Sequence, residues 1–144
     1  PVLMDQLVPI GAPGSTLATS ARADAAALAS KRLFLREFGS RTRQRIDNQF
    51  AALGVFPSDI TELPHNEAIK QAVIAGLGYA ILPRVTVSKE LARGELVVLN
   101  IPELCLNRPI MLAKRPDKVF APISQQFVED FKSEIEAFEQ PSRR

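Results

Sequence analysis

The residues best able to do chemistry in this chain are arginines crowded into one short run, Arg36-Glu37-Phe38-Gly39-Ser40-Arg41-Thr42-Arg43-Gln44-Arg45. The run follows an apolar stretch and leads into a segment of helical periodicity, so it reads as a strand-to-helix turn. A helix start carries unsatisfied N–H groups and a partial positive charge, and carboxylates are favoured there. Here the first turn instead holds Arg41, Arg43 and Arg45. Ser40 can cap, but the third helical position is Arg43, so no capping box forms. That local conflict is tolerable if an anion sits on the turn, held by backbone N–H groups and guanidinium donors. The residues alone leave a second reading open, in which the arginines point into water and their repulsion is screened.

Two further turns carry candidate groups. Leu63-Pro64-His65-Asn66-Glu67 is a second strand-to-helix turn that could face the same crevice, with His65 donating to a carboxylate or phosphate. The alternative is a loop histidine beside an Asn66 cap. Ala75-Gly76-Leu77-Gly78-Tyr79 contains a GxG pair, but it follows a helix and leads into a strand, the reverse of a phosphate loop. It reads as a helix end and a tight turn. Arg84, just after Pro83, reaches either the crevice or solvent. Catalysis by a nucleophile would need a base and an orienting acid beside it, and the chain has one His and one Cys, His65 and Cys105, with no such constellation. The same two residues cannot make a Cys/His zinc site, and no cofactor is implied. Cys105, between Leu104 and Leu106, is expected to be a semi-buried thiol.

The elements that must position these groups follow from periodicity. Strands are expected at Asp5–Ile10, Arg32–Arg36, Asp59–Leu63, Tyr79–Leu82, Glu95–Ile101 and Pro109–Lys114. Helices are expected at Ala21–Ser30, from Gly39-Ser40 to about Leu53 with Gly54 closing, from an Asn66 cap to Gly76, and as a turn at Ser88–Ala92 closed by Gly94. The clearest helix is Ala121–Phe138, with Ile123, Phe127, Phe131, Ile135 and Phe138 on one stripe. Ser142-Arg143-Arg144 reads as a frayed end. Strands alternating with helices predict an α/β fold with a mixed sheet flanked by helices. In such sheets ligands bind beyond the carboxyl ends of strands, where helices begin.

Composition sets limits on function. The 144 residues suit one domain or one lobe with part of a neighbour, and 46% hydrophobic against 24% charged residues is enough apolar content for a core. A net charge of +2 gives no basis for nucleic-acid binding by this chain itself. A single cysteine allows no intrachain disulfide and fits a reducing cytosol. No apolar run is long enough to span a bilayer, and the start, PVLMDQLVPIG, reads as a cut inside a longer protein.

The ordered blocks FLREFGSRTRQRIDNQF, ITELPHNEAIKQAVIAGLGYAILP, VSKELARGELVVLNIP and NRPIMLAKRPDKVFAPISQQFVEDF cover nearly the whole chain, and together they resemble the effector-binding domain of LysR-type transcriptional regulators. Within that family MDQLV, REFGSRTR and NEAIKQAVIAGLG look most like regulators of RuBisCO and other carbon-fixation genes. One departure is Arg41, where the family usually has Gly, so the ligand is expected to differ from that of relatives.

The resemblance implies a type 2 periplasmic-binding-protein-like fold of two α/β subdomains joined by crossover strands. Residues 1–13 would form one crossover strand and its turn, 14–102 the second subdomain, 103–116 the return crossover, and 117–144 a helix of the first subdomain. Most of that first subdomain, and the winged helix-turn-helix through which the full protein would meet DNA, would lie outside this chain. The last helix would therefore pack its stripe against another copy or onto the remaining sheet. The implied function is control of transcription by a small anionic metabolite, phosphorylated or nucleotide, in a cytoplasmic homo-oligomer without membrane contact. Ser40, Arg41, Thr42 and Arg43 would hold the anion, Pro64, His65 and Asn66 would line the opposite wall of the same subdomain, and Arg36 and Arg84 are secondary candidates. The rival readings are a solute-binding protein of a transport system with the same fold, and an enzyme on an α/β scaffold, which the residues do not equip.

Overall fold

In the computed structural model, the most apolar runs, Leu7–Ile10, Leu33–Leu35 and Tyr79–Pro83, form strands that are covered on both faces. The structure describes residues 2–113, 115 and 119–139, the last four of these as backbone. Lys114, the Phe138 side chain and Ser142-Arg143-Arg144 lie outside what is described. The chain forms two compact units, one of Gln6–Leu106 and one of Pro1–Asp5 with Asn107–Arg144.

The larger unit is built on β1 (Leu3–Gly11), β2 (Arg32–Leu35), β3 (Asp59–Glu62), β4 (Tyr79–Pro83) and β5 (Val97–Val98), ordered β3-β2-β4-β1-β5. β2 runs parallel to β3 and to β4, and β1 runs antiparallel to β4 and β5. Five helices are described: α1 (Ala25–Ala29), α2 (Arg41–Ala52), α3 (Asn66–Ile74), α4 (Ser88–Ala92) and α5 (Pro122–Glu139). Ile46 and Phe50 of α2 pack into one cluster with Leu33, Leu35, Ile81 and Leu99. Ile69 and Val73 of α3 pack into another with Phe34, Ala80 and Leu82. Successive residues of β2 thus point to opposite clusters, so the sheet is covered by α2 on one face and α3 on the other.

Glycines end the helices as expected: Gly54, Gly76 and Gly94 all have positive φ. Gly78 is different. A Cβ there would sit 2.6 Å from the Arg32 carbonyl oxygen and 2.9 Å from the Phe34 ring. The turn into β4 therefore lies directly on the start of β2, and only glycine lets the backbones approach so closely. Gly78→Ala is expected to cost about 2 kcal/mol, since the obstacle is backbone and cannot swing aside. A denaturant midpoint unchanged from wild type would show that the strand yields instead.

Several boundaries differ from the sequence expectation. α1 begins at Ala25 rather than Ala21, because Asp24 caps it and accepts the Ala27 N–H at 2.7 Å. The strand expected over Glu95–Ile101 shrinks to Val97–Val98: the Leu99 N–H goes to Pro9 O at 2.8 Å, and Asn100 then turns its carbonyl to Ala23 and its side chain to Ala21. The residue in the cap position of α3 is His65, not Asn66, and its side chain makes no cap bond.

In the smaller unit the first residues of β1 meet β6 (Leu106–Ile110), which lies earlier than the expected Pro109–Lys114. Val2 donates to Ile110 O at 2.8 Å, and Arg108 donates twice to Asp5 Oδ2, at 2.8 and 3.0 Å. α5 is the expected long helix, with Phe127 and Phe131 stacked at 6.1 Å. Among the described side chains of its stripe, Ile123, Phe127 and Phe131 are 81%, 68% and 42% exposed.

Candidate functional site

β2 and β3 run parallel and in register, so the turns that follow them emerge at the same edge. The Leu63 N–H reaches Leu35 O at 2.9 Å and carries the pairing one residue past β3. This sets Pro64-His65-Asn66 beside Arg36-Glu37-Phe38. A side-chain bond closes the junction, with Arg36 Nη1 donating to Asn66 Oδ1 at 3.4 Å. Two of the three expected turns therefore meet.

Gly39, with φ of 96°, makes the bend between them and α2, a conformation that side chains with a Cβ rarely accept. Ser40 follows as the extended residue before the helix, but its hydroxyl makes no cap bond, and the first turn of α2 contains no acid. Arg41 is exposed, and Ser40 and Thr42 are half-buried.

Arg43 turns inward and is 8% exposed. Its Nε donates to both Asp47 carboxylate oxygens at 2.9 Å, and its Nη1 donates to Glu62 Oε1 at 3.0 Å and Arg36 O at 3.1 Å. Two carboxylates thus meet its charge, and it ties α2, the end of β2 and the end of β3 together. Of the arginines expected to hold an anion, this one is placed to shape the turn.

Arg36 is gripped by its neighbour. Its Nε and Nη2 donate to the two Glu37 carboxylate oxygens at 2.8 and 2.9 Å, a fork-on-fork pair. The hydrogen bond from Arg36 holds the Glu37 carboxyl below its usual range, helped by its own backbone N–H and by the Arg36 charge, against the opposing effect of burial. The same bond raises the Arg36 guanidinium against the opposing effect of burial. Pro64 and His65 are exposed beside this pair, and Phe38 is 84% exposed.

Arg84 follows β4, which lies on the other side of β2 at the same sheet edge. No hydrogen bond among the described residues draws it into the Arg36 group, and its charge acts on Cys105. Burial pushes the Cys105 thiol up, and Arg84 opposes that. Behind the second turn, Lys70 of α3 donates to Glu90 of α4 at 2.8 Å, and both side chains are 10% exposed. Glu67 reaches the same ammonium at 2.7 Å. Burial alone would lower Lys70, but these carboxylates outweigh it and hold it raised. The Lys70 bond likewise keeps Glu90 lowered.

Glu37, Asp47 and Glu62 were not singled out by the sequence. The i,i+4 spacing of Arg43 and Asp47 was a usable signal. Glu62 had none, since its contact depends on the parallel register of β2 and β3. Among the described residues no group of three or more His, Cys, Asp or Glu could hold a metal, and no helix is long and apolar enough to cross a membrane. What the edge can do is present helix N–H groups and guanidinium donors to a small anion.

Residues 1–136 match the family described as the LysR substrate binding domain. The HTH-type transcriptional regulator CbbR of Rhodospirillum rubrum is 38% identical over 101 residues, 70% of this chain and 34% of the relative. A RuBisCO operon transcriptional regulator of Allochromatium vinosum is 34% identical over 128 residues, 89% of this chain and 42% of the relative. The matched part thus spans well under half the length of these curated relatives. Among solved structures, the regulatory domain of CcmR from Synechocystis PCC6803, in complex with 2-PG, superposes with a TM-score of 0.84 at 33% identity, covering 94% of this chain and 65% of that one.

Proposed function

The chain belongs to the LysR substrate binding domain family, and on that premise we propose that the starts of α2 and α3 hold a small anionic metabolite whose binding controls transcription. Ser40, Arg41 and Thr42 meet the anion, through the N–H groups of the first helical turn and the exposed Arg41 guanidinium. Arg43 fixes the shape of that turn from behind. Pro64, His65 and Asn66 form the facing side of the same edge, with Arg36 between. Arg84 contributes long-range attraction.

One observation carries this reading: two strand-to-helix turns are joined at one sheet edge by the Leu63–Leu35 and Arg36–Asn66 bonds, where α2 begins without an acid or a side-chain cap. Such an edge favours negative charge. The kinship with CbbR and RuBisCO operon regulators supports carbon-fixation genes as the target. In the longer protein, DNA would be met by a winged helix-turn-helix and the regulator would work as a homo-oligomer. The effector then acts by its difference in affinity between two conformations of the regulator.

Thermal unfolding against a panel of anionic metabolites tests this. A ligand at a hundred times its Kd should stabilise the fold by about 2.7 kcal/mol, a rise of roughly 5–10 °C for a chain of this size. Arg41→Ala should remove at least half of that rise without moving the ligand-free midpoint. A folded protein whose midpoint no anion shifts would rule the reading out.

A further inference from the structure

Glu37 occupies the Arg36 guanidinium, which reaches across to Asn66 of the second turn. Both its oxygens lie on the Arg36 fork, at 2.8 and 2.9 Å. This is the geometry an incoming carboxylate or phosphate would adopt there. The third donor position of Arg36 is held independently, by Asn66 Oδ1 at 3.4 Å. Arg36 would thus keep its place if Glu37 left. Glu37 itself is lightly held: its side chain is 45% exposed, and it sits next to Arg36 in the chain, so it can swing into water without disturbing either helix.

We propose that Glu37 is a tethered competitor for the anion, an internal carboxylate that an effector must displace from Arg36 before it can bind. The idea rests on the anion-binding reading of this edge. It adds a selection rule. A monocarboxylate arriving from solution offers Arg36 nothing that Glu37 does not already provide, and it arrives without the tether. A phosphate monoester brings more charge and a third oxygen for the helix N–H groups, so it can win. The chemical class selected is therefore a dianionic phosphate rather than a simple carboxylate.

The test is binding of inorganic phosphate and of acetate to the full chain, at constant ionic strength, by wild type and Glu37→Gln. Exposed ion pairs contribute little, so the expected gain is modest: phosphate should bind about 2- to 5-fold tighter to the variant. Acetate binding should tighten by at least the same factor. Adding Arg36→Met should abolish both gains. Glu37→Asp, a shorter carboxylate that fits the fork poorly, should move phosphate binding the same way by a smaller factor, and it serves if the Gln variant fails to fold. Phosphate binding that is unchanged or weaker in Glu37→Gln and Glu37→Asp, while wild type still binds, overturns the competitor and leaves the anion site standing. Failure of phosphate to bind any of these folded proteins overturns both.

Discussion

Replacing Lys70 with Met should lower stability by about 3 kcal/mol, read as a fall of roughly 10 °C in the thermal midpoint. The reason is what it leaves behind. Glu90 is 8% exposed, and its Oε2 already has no hydrogen-bond partner. Without the Lys70 ammonium the carboxylate is an uncompensated charge under α3 and α4. Adding Glu90→Leu should restore most of the loss, since an apolar pair of similar volume is often as stable as a buried ion pair. A double variant as unstable as the single one would contradict this account.

The pH dependence has a fixed sign at each end. Glu90 is lowered in the folded protein, so its contribution is present above the ordinary carboxylate pKa and disappears as pH falls through the folded value. Lys70 is raised, so its contribution is present below the ordinary lysine pKa and disappears as pH rises through the folded value. The double variant should therefore lose less stability than wild type at both extremes.

Arg43→Met should cost about 2–3 kcal/mol and also abolish stabilisation by any anion that Arg41→Ala only weakens. Arg43 is bonded at once to Asp47 of α2, to the Arg36 carbonyl just past β2 and to Glu62 at the end of β3. Asp47 and Glu62 stay about half exposed and can be rehydrated, which limits the loss. The geometry of the turn cannot be recovered in that way. Calorimetry of the two variants with one effector separates the roles: Arg41→Ala keeps its stability and loses affinity, and Arg43→Met loses part of its stability as well as affinity. Full effector binding by Arg43→Met would show that the turn holds its shape unaided.

What was readable in the sequence was mostly local. α2, α3, α4 and α5 were placed within a few residues because their apolar periods and terminal glycines act over one or two turns. β2 is readable as a short apolar run, Leu33-Phe34-Leu35, and β3 only by the alternation of Ile60 and Leu63 with polar residues ahead of a helix. The alternation over Glu95–Ile101 reads as one long strand, but its partner β1 is distant in the chain and meets only part of it. Leu96, Leu99 and Ile101 are buried, yet the pairing with β1 ends at the Leu99–Pro9 bond, since Asn100 is taken by Ala21 and Ala23. At the site, the meeting of the two turns followed from the topology. The inward turn of Arg43 did not, because a run of arginines looks uniform until Glu62 arrives beside it from β3.

The position of β1 bears on how the protein is made. Its residues Leu7–Ile10 lie between β4 and β5, paired with Ala80–Pro83 and Val98. Everything from β2 to β4 is a continuous stretch that can pair as it emerges. β1 leaves the ribosome before any of it and must wait for partners in β4 that follow it by about 70 residues, as Ile10 pairs with Ala80 and Leu7 with Pro83. Until then the apolar side chains of Leu7, Val8 and Ile10, all fully buried in the finished fold, are open to water and to other chains. Completing the sheet is thus a long-range closure of the kind that slows folding. A nascent chain halted before Tyr79 should be markedly more prone to aggregate than one halted after Val98.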